Sequence, residues 1–235
     1  RVIELCVEQA RGRVPVIAGA GSNSTDEAIM RTKHAKDVGC DAALHVTGYY
    51  NKPTQEGLYL HFKAVAEQSG IPIVIYNVPG RTVSDISVET LARLAKVKGI
   101  IGIKDATANI ARVSRQRHTL GKEFIQLSGE DITALGFNCH GGQGAISVTS
   151  NVAPKLCSQM QEASLKGDYA KALEIQDRLT PLHDALFCET SPAPVKYAVS
   201  RLGLCEPDAR LPLAPCSEGA KKQVDAAMRY AGLLN

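Results

Sequence analysis

The chain has 235 residues, 44% hydrophobic and 22% charged, with a formal net charge of +3; this suits a soluble globular protein with one large domain plus a small one and excludes a disordered polyelectrolyte. Aromatic residues reach only 5% with no Trp, and the basic residues form no block, which argues against a nucleic-acid surface. The apolar runs are of strand length, far short of the ~20 residues a membrane helix needs, so no bilayer-spanning segment is expected.

The chain opens on Arg1 without an initiator Met, and Val2 to Val7 has helical spacing with no start signal. The expectation is that the protein begins upstream of this sequence and that any targeting segment lies there. Apolar, strand-like runs then recur at Val14 to Ala18, Ala42 to Val46, Ile71 to Tyr76, Gly99 to Lys104, Phe124 to Ser128 and Gly144 to Val148, with starts 28, 29, 28, 25 and 20 residues apart. An amphipathic segment fills each gap, and this βα alternation predicts a parallel sheet. Ser24 with Glu27 reads as a capping box for the first of these helices, ended by Gly39. Thr54 opens the next, which Gly70 ends, and Ser87 and Asn109 are predicted caps for the two after that.

Six such units fit either an open doubly wound sheet or an eight-stranded (β/α)8 TIM barrel whose first two units are missing, and the abrupt start favours the barrel. Pro154 opens a helix running to Gly167. Beyond it only helices are predicted: Asp168 to about Cys188 with a kink at Pro181, Pro194 to Leu202, and Glu218 to Leu233. The predicted division is therefore a barrel over 1–167 and a C-terminal α-helical domain over 168–235.

In such a fold the chemistry sits at the C-terminal ends of strands. Lys104 closes the run Ile100-Ile101-Gly102-Ile103, where desolvation disfavours the ammonium form and makes the residue a candidate Schiff-base nucleophile. Tyr76 ends the preceding run, and Arg81 follows closely with a fork suited to a carboxylate. Taken singly, each has a plainer reading: a snorkelling lysine, a core tyrosine, a surface arginine. Together on one rim they read as a site for a 2-oxo acid. The seven cysteines, an odd count without a Cys-x-x-Cys pair, read as reduced thiols of a cytoplasmic protein. The six histidines show no metal-ligand spacing, and Cys139 to Gly144 is only a loose likeness of a phosphate loop because it precedes a strand.

Gly48-Tyr49-Tyr50-Asn51-Lys52-Pro53, Tyr76-Asn77-Val78-Pro79-Gly80-Arg81-Thr82 and Gly102-Ile103-Lys104-Asp105-Ala106-Thr107 resemble the dihydrodipicolinate synthase family of pyruvate-dependent Schiff-base lyases. Leu127 to Asp131 and Gly144 to Val148 fit as well, and the resemblance is collinear along the whole chain. It implies condensation of pyruvate with L-aspartate 4-semialdehyde in diaminopimelate and lysine biosynthesis, without metal or organic cofactor. Lys104 would form the imine, Tyr76 would relay protons, and Tyr50 would extend the relay into a neighbouring subunit's site. Arg81 would hold the aldehyde substrate's carboxylate, and Gly129 and Ile146 would shape the pyruvate pocket. Asn23, Glu27 and Tyr49 match residues that in several bacterial members of the family bind lysine, as an inhibitor, in a cleft between two subunits. A homotetramer, built as a dimer of dimers, is implied.

The family's paired-threonine motif, Gly-Thr-Thr-Gly-Glu, is absent from this sequence, as are the roughly fifty to sixty residues that would carry the first two βα units. Gly48 stands where the family usually has Pro, and Asp105 where Glu is common. Two rivals remain at this stage. One is another pyruvate-dependent aldolase, such as N-acetylneuraminate lyase or a 2-keto-3-deoxy sugar acid aldolase; the other is a catalytically dead sensor of 2-oxo acids.

Overall fold

The computed structural model describes residues 1–235 and separates into two compact units: 1–129 with 140–143, and 130–139 with 144–235. The first unit opens with α1 (Val2–Ala10) and then alternates β1 (Ile17–Gly19), α2 (Thr25–Asp37), β2 (Ala42–Val46), α3 (Gln55–Ser69) and β3 (Ile73–Asn77). A one-turn helix α4 (Pro79–Thr82) precedes α5 (Val88–Leu94), β4 (Ile100–Asp105), α6 (Ala111–Leu120) and β5 (Ile125–Ser128). All strand pairs are parallel and the order is β1-β2-β3-β4-β5. The βα spacing seen in the sequence therefore produces a parallel α/β sheet.

One face of the sheet carries Ala43, Ile73, Ile75 and Ile103, packed in one apolar cluster with Leu58, Phe62 and Val65 of α3 and Leu91 and Leu94 of α5. Thr54 caps α3 by accepting from Gly57 N at 3.2 Å, and Ser87 caps α5 by accepting from Thr90 N at 3.1 Å, as predicted. Gly70 ends α3 in the left-handed conformation, with φ of 72°.

Three expectations fail. Ser24 makes no side-chain cap: Ser22 Oγ accepts from Ser24 N instead and donates to Glu27, which also pairs with Arg31. Asn109 does not cap α6, whose N-cap is Ile110. Residues 144–148 form no strand beyond an isolated bridge at Ala145. At the end of the segment Asp131 Oδ2 accepts from Val148 N and Thr149 N at 2.9 and 3.1 Å, and Ser147 Oγ accepts from Ser150 N, so a 3-10 turn begins there instead.

The pairing of β3 with β4 contains one irregularity. Ile73 pairs with Ile100 but Val74 pairs with Gly102, so Ile101 is an extra residue. Next to it, on the β5 side, a Cβ at Gly102 would lie 2.6 Å from the carbonyl oxygen of Ile125, so β4 and β5 approach too closely there for a side chain.

The second unit is helical, with α7 (Ala134–Cys139), α8 (Pro154–Leu165), α9 (Tyr169–Ala185), α10 (Ala193–Arg201) and α11 (Glu218–Tyr230). Its core joins Cys157 and Met160 of α8 to Leu179 and Leu182 of α9, Ala198 of α10, and Val224 and Met228 of α11. Helix α9 is a single helix that contains Pro181.

His45 on β2 is fully buried; its Nε2 pairs with Thr32 Oγ1 at 2.8 Å while Nδ1 has no partner. Burial, aided by the nearby His61, pushes its pKa down to about 4. The unfolded chain takes up this proton near pH 6.5 and the folded chain does not. Stability present above pH 6.5 is therefore lost as the pH falls toward 4. Burial lowers the pKa of His61 and His183 as well, adding in the same direction. Between pH 7 and 4.5, His45→Gln is expected to lose about 2 kcal/mol less unfolding free energy than the unmodified chain, read by urea denaturation.

Candidate active site

The register places the proposed pair side by side. Val46 is the partner of Tyr76, Tyr76 of Lys104, and Lys104 of Leu127, all at the C-terminal ends of their strands. The extra residue in β4 is responsible. Had the pairing begun by Ile73 and Ile100 continued unbroken, Ile103 would face Tyr76's side of the sheet and Lys104 would point into the helices. Instead Lys104 and Tyr76 lie half-buried on the side opposite Ile75 and Ile103. The Lys104 ammonium sits 3.9 Å from the centroid of the Tyr76 ring, a cation–π contact that holds the amine at a defined place.

Gly129 closes the other side. Its N donates to the carbonyl of Asp105 at 2.7 Å, and a Cβ at this position would meet Ala106 Cβ at 2.7 Å and Lys104 Cε at 3.0 Å. The missing side chain thus leaves room for the lysine.

Arg81 sits on α4, and its exposed side chain makes no ion pair, leaving its fork available to an incoming carboxylate. A buried hydroxyl cluster fixes this turn to the end of β2. Thr47 Oγ1 lies 3.4 Å from Thr82 Oγ1, which accepts from Ser84 N at 3.2 Å, while Ser84 Oγ donates to the carbonyl of Gly48 at 2.5 Å. Between Thr82 and Ser84, Val83 adopts φ of 58°, a strained conformation for a β-branched residue. Sequence reasoning passed over Thr47 and Ser84, because an isolated hydroxyl carries no periodic signal.

The loop after β2 presents Tyr50 outward, 92% exposed and with φ of 69°. Asn23 Nδ2 donates to the carbonyl of Tyr49 at 3.3 Å and Asn51 Nδ2 to that of Asn23 at 3.0 Å, so Asn23 and Tyr49 do come together. Glu27 pairs with Ser22, the neighbour of Asn23, at 2.9 Å and with Arg31 at 2.9 Å. Ile146, half-buried, belongs to the second unit, on the coil before the 3-10 turn.

An amine against a phenol ring at the carboxyl edge of a parallel sheet, with an unpaired guanidinium on the next turn, defines an α/β site equipped for carbonyl chemistry on acidic substrates. The chain belongs to the dihydrodipicolinate synthetase family, whose model matches residues 1–231. It is 66% identical to the 4-hydroxy-tetrahydrodipicolinate synthase of Parvibaculum lavamentivorans over 235 residues, all of this chain and 81% of that protein. Among solved structures, the chloride-inhibited dihydrodipicolinate synthase of Acinetobacter baumannii complexed with pyruvate is 45% identical, with a TM-score of 0.97 over 99% of this chain and 80% of that one. The Cyanidioschyzon merolae enzyme with lysine bound is 39% identical, with a TM-score of 0.89 over 94% of this chain and 75% of that one.

Gly129→Ala is expected to fold but to slow borohydride-trapped reaction of Lys104 with a 2-oxo acid by about 10- to 100-fold, because the added methyl displaces the amine. Adduct mass against time, with the melting temperature as control, checks this.

Proposed function

We propose that the protein condenses pyruvate with L-aspartate 4-semialdehyde to 4-hydroxy-tetrahydrodipicolinate, a lyase reaction of diaminopimelate and lysine biosynthesis, and that Lys104 carries it. The observation that bears most weight is the Lys104 amine placed 3.9 Å from the Tyr76 ring centroid by strand register.

In this reading unprotonated Lys104 attacks C2 of pyruvate and expels water to give an imine, whose nitrogen draws electrons from the methyl group. Loss of a methyl proton gives an enamine, which adds through C3 to the aldehyde carbon. The amino group of the second substrate then attacks the imine carbon, closing the ring and releasing Lys104. Tyr76 moves the protons these steps require, and Tyr50 extends the path from a neighbouring subunit. Its exposed, outward position supports that assignment. Arg81 pairs with the carboxylate of the semialdehyde, while Gly129 and Ile146 bound the pyruvate pocket.

The same reading takes residues 1–167 as units of a closed (β/α)8 barrel and 168–235 as an appended helical domain, assembled as a homotetramer. The cysteine usage supports a cytoplasmic setting. Lysine would inhibit from a cleft built by Asn23, Glu27 and Tyr49, where its ammonium would compete with Arg31 for Glu27.

Borohydride reduction in the presence of pyruvate should add one three-carbon unit, mapped by peptide mass to Lys104, and Lys104→Arg should abolish it. Aspartate semialdehyde should then be consumed and N-acetylmannosamine should not; an adduct elsewhere, or the reverse aldehyde preference, refutes the reading. Arg81→Ala should raise KM for the semialdehyde about 10- to 100-fold, the value of a charge-assisted carboxylate pair, and leave KM for pyruvate nearly unchanged.

A further inference from the structure

Directly behind the reacting pair, on the helix side of the sheet, lies a closed circuit of polar side chains. Asn77 follows Tyr76, Asp105 follows Lys104, and the two are register partners, 0% and 5% exposed. Asn77 Nδ2 donates to Asp85 Oδ1 at 2.8 Å, and Asn77 Oδ1 accepts from Ile86 N at 3.1 Å. Arg112 of α6 spends all three guanidinium nitrogens here: NH1 on Asp85 Oδ2 at 3.2 Å, Nε on Asp105 Oδ2 at 3.1 Å, and NH2 on the Ile86 carbonyl at 2.7 Å. The other oxygen of Asp105 accepts from Thr107 N at 2.9 Å and Thr107 Oγ1 at 2.6 Å, and Gln116 Nε2 reaches Oδ2 at 3.3 Å. The main chain of Asp105 also receives Gly129 N, and Ala106 N donates to the Asn77 carbonyl at 2.9 Å.

Stability is a poor reason for such a circuit, because apolar residues of similar volume often replace a buried ion pair without loss. Register is a better one. A strand slipped by one residue exchanges the faces of neighbouring side chains. In β4 that slip would turn Lys104 toward Arg112, burying two like charges, and turn the Asp105 carboxylate toward Tyr76.

We propose that Asp105 and Arg112 form a register lock that keeps Lys104 on the reactive face, which makes Arg112 a positioning residue for the reaction. The proposal rests on Lys104 being the imine-forming amine. It also gives a part to residues that touch no substrate. Lysine at position 112 keeps the charge but cannot reach three partners in a planar fork.

The test uses the protein as the cell makes it, with each variant assayed well below its own melting temperature. Arg112→Lys should lower both kcat and the rate of pyruvate trapping by about tenfold or more while KM for pyruvate stays within about threefold, the split expected when an amine is misplaced without loss of ground-state binding. Asp85→Asn alters the half-exposed end of the same circuit and should show the same split if Arg112→Lys fails to fold. A folded variant with a smaller fall, or with a fall confined to KM or to melting temperature, overturns the lock. Unmodified protein that traps no pyruvate at Lys104 overturns the functional reading and the lock together. Normal trapping in both the unmodified and the Arg112→Lys proteins overturns the lock alone.

Discussion

One extra residue in β4 decides where the amine points. The shift between Ile73 and Val74 moves Lys104 from a position opposite Asn77 to one opposite Tyr76, and with it from the helix-packed face of the sheet to the reactive one. Bulges near active sites commonly re-aim a side chain in this way. Gly102 follows the extra residue, and on the β5 side any side chain there would strike the Ile125 backbone. A glycine within an isoleucine-rich strand is otherwise unfavourable, and close backbone approach explains it.

The two faces of the sheet divide the work. Toward the helices, isoleucines from β3 and β4 supply apolar burial in the lower part of the strands, and at their carboxyl ends the side chains become polar: Asn77 and Asp105, both buried and both paired. On the opposite face the strand ends carry the phenol and the amine. Buried polar groups demand partners, and satisfied ones hold a unique geometry more strictly than apolar packing does. The same logic governs the turn that presents Arg81. The hydroxyls of Thr82 and Ser84 brace Val83 in a left-handed conformation whose strain is of the order of 1–3 kcal/mol.

Much of this was legible in the chain itself. Five of the six predicted strands exist, because runs such as Ile73-Val74-Ile75-Tyr76 combine β-branched residues with flanking Pro and Gly punctuation. The caps at Thr54 and Ser87 were readable because a hydroxyl three residues before an orphan amide acts locally. The segment 144–148 was misread because its composition is strand-like while its last amide, Val148 N, bonds to Asp131, a partner more than a dozen residues away. Ser24 was misread for a related reason: Ser22, two residues earlier, captured the Glu27 carboxylate that a capping box requires. Asp105 with Thr107 did leave a local trace, the turn in which an aspartate accepts from the amide two residues on, but nothing local points from there to Arg112.

The residue types at the strand ends were determined by sequence alone: an amine, a phenol and a guanidinium whose chemistry suits a 2-oxo acid and an aldehyde, set in motifs specific enough to identify the family. The face each strand end presents was decided only by tertiary structure. A side chain's face depends on pairing register, and register is set by contacts between residues far apart in the chain, such as Ile73 with Ile100 and Gly102 against Ile125. Local propensity carries no information about such contacts, because either register leaves the same residues in the same strand.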